Sequence, residues 1–218
     1  MPTTHDRGEV LEALFDLGGA GVARDAVVER SGLPGDEVTA VLEALAEADL
    51  VAREGGDLSL TEAGTAAAVT YVRRHRLAER LLRDVIGLDW WKVHHEAEAW
   101  EDVISDEVES RLVRLLGDPG TCPHGNPIPG SANRPDQSAA VRLVDAGDGA
   151  VQVVRITEDL EEDDDALRLL EDCGFIPGRP GEVAGHEPDG SVRVVGPVAD
   201  AVVPPHVAQR TYVLPVGS

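Results

Sequence analysis

Two groups of imidazole and carboxylate side chains stand out by their spacing. His75 and Glu79 are four residues apart, which on a helix puts them on one face. His94, Glu98, Glu101 and Asp102 follow at i, i+4, i+7 and i+8, again a single helical stripe. Two such helices packed together bring imidazole nitrogens and carboxylate oxygens to one or two cations. A mixed nitrogen and oxygen donor set without thiolate suits Mn(II), Fe(II), Co(II) or Zn(II). An imidazole ligates only when neutral, so its other ring nitrogen needs an orienting acceptor. In a chain this acidic the same spacing also arises as a solvated face, and spacing alone leaves both readings open.

The elements that must position these residues can be read from periodicity and turn chemistry. Val10, Leu11, Leu14, Phe15 and Leu17 recur at helical spacing. A short helix follows within residues 22–33, ending at Gly32, and Pro34-Gly35 breaks the chain. Asp36 is placed to cap a further helix through Val38, Val41, Leu42 and Leu45. Two short extended runs around Gly55-Gly56 predict a β-hairpin, and Thr61 is the N-cap of the next helix. Helix, helix, turn, helix, hairpin is the order of a winged helix-turn-helix, although a three-helix bundle with a hairpin has the same pattern. Residues 65–116 predict long helices interrupted at Gly87, and a Pro- and Gly-rich loop runs from Asp118 to Gly130. Residues 131–150 read as a polar linker. Residues 151–218 predict short strands around one helix, a small β-barrel. The fold class expected is therefore α+β, with domains at 1–64, 65–130 and 151–218.

Composition narrows the function. The chain has 41 acidic residues against 19 basic ones, a net charge of −22, and Lys92 is its single lysine. Such a surface is expected of a halophilic protein, or of an acidic protein from a GC-rich mesophile. The charge opposes phosphate contacts, but at molar salt the Debye length shrinks to about 3 Å and the local surface decides. Cys122 and Cys173 form no CxxC pair. With no long apolar run and no leader-like start, a cytoplasmic protein with no membrane partner is expected. No HExxH, P-loop or GxSxG motif is present, so an enzyme is not expected.

A long stretch of the sequence carries a resemblance. It runs from Arg74-His75-Arg76-Leu77-Ala78-Glu79-Arg80-Leu81-Leu82 through Ile86-Gly87-Leu88-Asp89, Lys92-Val93-His94, Trp100-Glu101 and Ser105-Asp106-Glu107-Val108-Glu109 to Gly125-Asn126-Pro127-Ile128-Pro129. It resembles the DtxR/MntR family of iron- or manganese-dependent repressors. Leu169-Leu170 and Gly174-Phe175-Ile176-Pro177-Gly178 extend the likeness to the family's C-terminal SH3-like (FeoA-like) domain.

The resemblance implies a winged-helix domain, a helical dimerisation and metal domain, and the SH3-like domain. It implies an ancillary metal site of His75, Glu79 and His94, to which Glu158 and Glu161 are lent. It implies a primary, activating site of Glu98, Glu101 and Asp102, completed by Glu9 just before Val10-Leu11. Iron-type members carry Met, Cys and His where this chain has Glu9, Glu98 and Asp102. Manganese-type members carry carboxylates at the first two and His at the third. The oxygen-rich set favours Mn(II), with Fe(II) next. The implied partners are double-stranded operator DNA and a second copy of the chain. The recognition helix, residues 36–48, holds no Lys or Arg. The expected DNA contacts are Arg24, Pro34, Asp36, Glu37, Thr39, Ala40 and Arg53, with Arg30 as a further cation. The alternative is a metal-independent winged-helix regulator or protein-interaction module.

Overall fold

The computed structural model describes residues 2–216. Its elements divide into two compact units: residues 1–75 with 98–109, and residues 76–97 with 110–218.

The first unit opens with α1 (Thr4–Asp16), started by a capping box in which Thr3 and Asp6 satisfy each other's backbone amides. A two-residue strand β1 (Val22–Ala23) leads into α2 (Arg24–Ser31), which ends at Gly32 in the left-handed region. Helix α3 (Gly35–Glu47) begins one residue before the expected cap, with Pro34 at its N-cap. No side chain caps it, so Asp36 lies inside the first turn instead, where its charge suits the helix dipole. β2 (Val51–Glu54) and β3 (Asp57–Leu60) pair in the expected hairpin. Gly55 and Gly56 both hold positive φ, 60° and 103°, as a two-residue turn of that hand demands. β1 adds to the outer side of β3. The apolar stripes of α1 and α3 meet in one core with Val27, Val51, Leu58 and Ala68. This is the winged helix-turn-helix arrangement.

Helix α4 (Glu62–Arg80) starts with Thr61 Oγ1 accepting from the Gly64 amide. It gives residues to both units, as does α5 (Val93–Glu101). In the first unit, Arg73 and Arg74 of α4 pair with Glu109 and Asp106 of α6 (Asp106–Leu116).

In the second unit α4 continues as a π-helical turn, Leu81–Ile86, stopped by Gly87 at φ 82°. A single 3-10 turn, Trp90–Lys92, precedes α5. Residues 131–150 are more than a polar linker. They include β4 (Val141–Arg142) and a 3-10 turn whose Leu143 is wholly buried, because Leu143 and Ala146 supply apolar surface to the core.

The rest is a six-stranded antiparallel sheet with helical insertions. Its members are β5 (Gly149–Ile156), α7 (Glu158–Glu161), α8 (Asp164–Cys173), β6 (Pro180–His186), β7 (Val192–Val195), β8 (Asp200–Val203), α9 (Pro205–Ala208) and β9 (Thr211–Pro215). The strand order is β4-β9-β5-β6-β7-β8. Alternate residues of β5 and β7 point into a core shared with Trp90, Leu167, Leu170 and Phe175. The fold is α+β, as the sequence predicts.

Candidate metal centres

In the first unit, α1 presents His5 and Glu9 one turn apart, α4 presents Tyr71 and His75 one turn apart, and the end of α5 presents Glu98 and Glu101. His5, Glu9 and Glu98 offer ligand atoms within 4.8 Å of one another. Glu101, at 1% exposure, is the hub of the group. Its Oε2 lies 2.5 Å from His75 Nδ1, and its Oε1 lies 3.6 Å from His5 Nδ1 and accepts from the Tyr71 hydroxyl. The same hydroxyl lies 3.2 Å from Glu9 Oε1.

The charges are mutually adjusted. Burial alone would raise the Glu101 carboxyl, but the nearby His5 and His75 imidazoles hold it below the ordinary carboxylate range. Burial and then the Glu101 charge push Glu9 up. The Glu101 carboxylate, 3.6 Å away, carries His5 to about 9 against the pull of burial.

In the second unit, Glu79 of α4, His94 of α5, His124 and Asn126 of the Pro-rich loop, and Glu161 of α7 converge. His124 Nδ1 stands 2.8 Å from both Glu79 Oε1 and Glu161 Oε2. His94 Nδ1 is 3.2 Å from Glu161 Oε2 and 3.8 Å from Glu79 Oε1. Asn126 Nδ2 donates to Glu161 Oε1 at 2.7 Å, and Cys122 joins Glu79 and His124 in a compact trio.

The loop is held for this purpose. The Ile156 amide donates to the His124 carbonyl at 3.0 Å, and Trp90 Nε1 donates to Pro123 O at 2.9 Å. Gly125, at φ 90°, lies so close to β5 that a Cβ would overlap Val154 O. Burial would lower His124, yet the charges of Glu161 and Glu79 carry it to about 9. His94 is likewise held well above its usual value, with Glu161, Glu162 and Glu79 outweighing its burial.

Both groups fit a divalent cation by their donor chemistry. Buried carboxylates facing one another need positive charge between them, supplied by protonated imidazole or by a metal ion. Oxygen ligands on opposite sides of a hard divalent cation stand roughly 4 Å apart, and the spread of the donor atoms in each group is of that size. The first group is richer in oxygen. Each holds two imidazoles, and the second adds a thiol.

The residues expected from the sequence divide as follows. Glu9, Glu98, Glu101 and His75 lie in the first unit's group, and Glu79, His94 and Glu161 in the second's. Asp102 is exposed and joins neither group. Glu158 is buried, but its carboxylate accepts from Arg76 Nε at 3.0 Å and from the same guanidinium's Nη2. It neutralises an arginine that is 4% exposed.

Five further residues join these groups. His5 was legible as the i−4 neighbour of Glu9. Cys122, His124 and Asn126 form a dense run of donors in one loop. Tyr71 gave no local signal, because only tertiary packing brings a phenol to the carboxylates.

The residues expected to contact DNA also sit in the first unit. Pro34, Asp36, Glu37 and Ala40 are exposed along α3. Thr39 accepts from Arg24 Nη2 at 2.8 Å and donates to Gly35 O at 2.8 Å, so Arg24 is fixed against the start of α3. A cavity of about 200 Å³ between α3 and the hairpin is lined by Arg24, Thr39, Arg53 and Leu58 among others. Arg30 instead pairs with Asp16.

Residues 61–130 match the family model of the iron dependent repressor, metal binding and dimerisation domain. The chain is 40% identical over 210 residues to the iron-dependent repressor IdeR of Mycobacterium tuberculosis, covering 90% of each. It is 35% identical over 212 residues to the diphtheria toxin repressor of Corynebacterium glutamicum, covering 88% of this chain and 92% of that one. Among solved structures, a manganese-dependent transcriptional repressor in complex with manganese superposes with a TM-score of 0.78 at 28% identity. That match covers 96% of this chain and 99% of the other. The IdeR of T. acidophilum gives a TM-score of 0.70 at 28% identity, covering 97% of each chain.

Proposed function

Because the chain belongs to the DtxR/MntR family of metal-dependent transcriptional repressors, we propose that it represses metal-uptake genes when Mn(II) or Fe(II) is plentiful. The observation that carries this reading is the group at Glu9, Glu98 and Glu101, where α1 and α5 of one unit bring carboxylates together around the Tyr71 hydroxyl and imidazoles. In this reading residues 1–64 read DNA, 65–130 bind metal and dimerise, and 151–218 form the SH3-like domain, joined by 131–150.

Glu9, Glu98 and Glu101, with His5 or His75, would hold the activating ion; Glu79, His94, His124 and Glu161 would hold the ancillary one, with His75, one turn before Glu79 on α4, as the family's further candidate. When bound, the ion supplies positive charge that compensates the facing carboxylates. The chain's residues do the rest. Glu9 sits on α1, which packs directly on α2 and α3. Neutralising the repulsion between Glu9 and Glu101 therefore fixes the DNA-reading helices against α4 and α5. Ion binding shifts the protein only through tighter affinity for that arrangement. The harder, oxygen-rich first group supports Mn(II) ahead of Fe(II).

Two copies paired through residues 65–130 would set two α3 helices into successive major grooves. Exposed apolar side chains in that stretch, Val85, Ile86, Val103 and Leu115, support a partner surface. Arg24 and Arg53 would supply the phosphate contacts beside an α3 that offers Pro34, Asp36, Glu37, Thr39 and Ala40. The acidic surface supports a halophilic setting, in which screening weakens its repulsion of DNA.

Operator binding titrated with Mn(II), Fe(II) and Zn(II), at high and low KCl and against a chelator, tests the reading. Metal-dependent binding that is lost in Glu98→Ala or Glu101→Ala, with the dimer intact, is the expected result. Equal binding with and without chelator favours the metal-independent regulator instead.

A further inference from the structure

Gly8 lies inside α1, where glycine is the poorest helix former apart from proline. A Cβ at that position would overlap the Cε2 and Cζ atoms of the Tyr71 ring. The ring is thus seated directly on the α1 backbone, one residue from Glu9. That seat aims the Tyr71 hydroxyl at two carboxylates on two other elements, Glu9 Oε1 of α1 and Glu101 Oε1 of α5. One donor proton shared between two acceptors on separate helices is a cross-link that exists without any cation. Phenylalanine at position 71 would fill the same space and make no link.

We propose that Tyr71 is the positioning residue of the first unit's carboxylate group. Its phenol, seated on Gly8, ties α1 to α4 and α5 before metal arrives and so sets how tightly the group closes on a divalent ion. This inference rests on the reading of that group as the activating site. Tyr71 need not ligate. It lowers the cost of bringing Glu9 beside Glu101, which the metal would otherwise bear alone.

Three measurements on the full chain test it. In metal-free Tyr71→Phe, amide exchange across residues 4–16 should accelerate, and Mn(II) affinity should fall about tenfold, as expected for one lost hydrogen bond to a charged acceptor. Gly8→Ala separates this role from helix propensity. Alanine alone would slow exchange in α1, whereas displacement of the ring should speed it and weaken Mn(II) binding.

The chain has two tyrosines. The phenol-carbon 13C resonance that disappears in Tyr71→Phe should therefore shift when Zn(II) is added to the unsubstituted protein. Unaltered exchange and Mn(II) affinity in Tyr71→Phe, or an unshifted resonance, overturn the proposal. Unchanged Mn(II) binding in a parallel Glu98→Ala sample overturns the underlying reading of the group instead. The metal-free exchange result then still decides whether Tyr71 ties α1 in place.

Discussion

The two imidazole and carboxylate groups use the same side chains under different constraints. The second unit's group is sealed: Glu79, His124 and Glu161 are each at 0% exposure, and backbone amides, Trp90 and Asn126 hold the loop around it. The first unit's group is part open, with the His5 and Glu9 side chains 42% and 21% exposed. It also draws its residues from helices alone, whereas the second group adds a braced loop to its three helices. A sealed group is bound up with the stability of its surroundings. A part-open group spread over separate helices can instead make their relative placement depend on what occupies it. In the proposed reading, the sealed group serves stability and the part-open group serves switching.

The largest effects should expose that division. His124→Ala removes the imidazole that stands 2.8 Å from both Glu79 and Glu161 in the core, and Glu158→Ala removes a carboxylate to which the buried Arg76 guanidinium donates. Breaking a buried pair costs about 3–5 kcal/mol. At about 2–4 °C per kcal/mol for a chain of this size, each should lower the melting temperature of metal-free protein by roughly 10 °C. A small shift for Glu158→Ala together with a lost metal site would make Glu158 a ligand rather than the partner of Arg76. Glu98→Ala should show the reverse pattern. Its melting temperature should stay within a few degrees, while Mn(II) affinity measured by calorimetry falls by at least the ~10–100-fold typical of losing a residue that merely supports a ligand.

How much of this was legible depended on whether the signal was local. The hairpin, α1, α4 and the stripe from His94 to Glu101 follow from periodicity and from Gly55-Gly56, because those patterns decide structure within a few residues. Two features at the edge of α3 and the start of the sheet were not legible. Asp36 competes with Pro34 for the cap and loses, and Leu143 is a lone apolar residue in a polar stretch whose burial depends on distant strands. Among the candidate site residues, Glu98 followed from helical spacing and Glu9 from the resemblance alone. The pairing of Glu158 with Arg76 was hidden, since the two lie 82 residues apart and a carboxylate shows no preference in sequence between a cation and an arginine. Tyr71 was hidden for the same reason.

Smaller effects sharpen the part of the first unit proposed to contact DNA. Arg53→Ala should weaken operator binding about equally across sequences and reduce the slope of log affinity against log salt by about 1. An unchanged slope would remove Arg53 from the phosphate contacts. Smallest of all is Asp102→Ala. The residue is exposed and outside both groups, so stability should change by no more than about 0.5 kcal/mol and Mn(II) affinity should be retained. A collapse of Mn(II) affinity would mean that the side chain swings inward when metal binds.

The most direct test of the account is an anomalous difference map from crystals of the full chain grown with Mn(II). A peak among Glu9, Glu98 and Glu101 is the expected result. A map with density only beside Glu79, His124 and Glu161, or with none at either place, would contradict the claim that the part-open group is the switch.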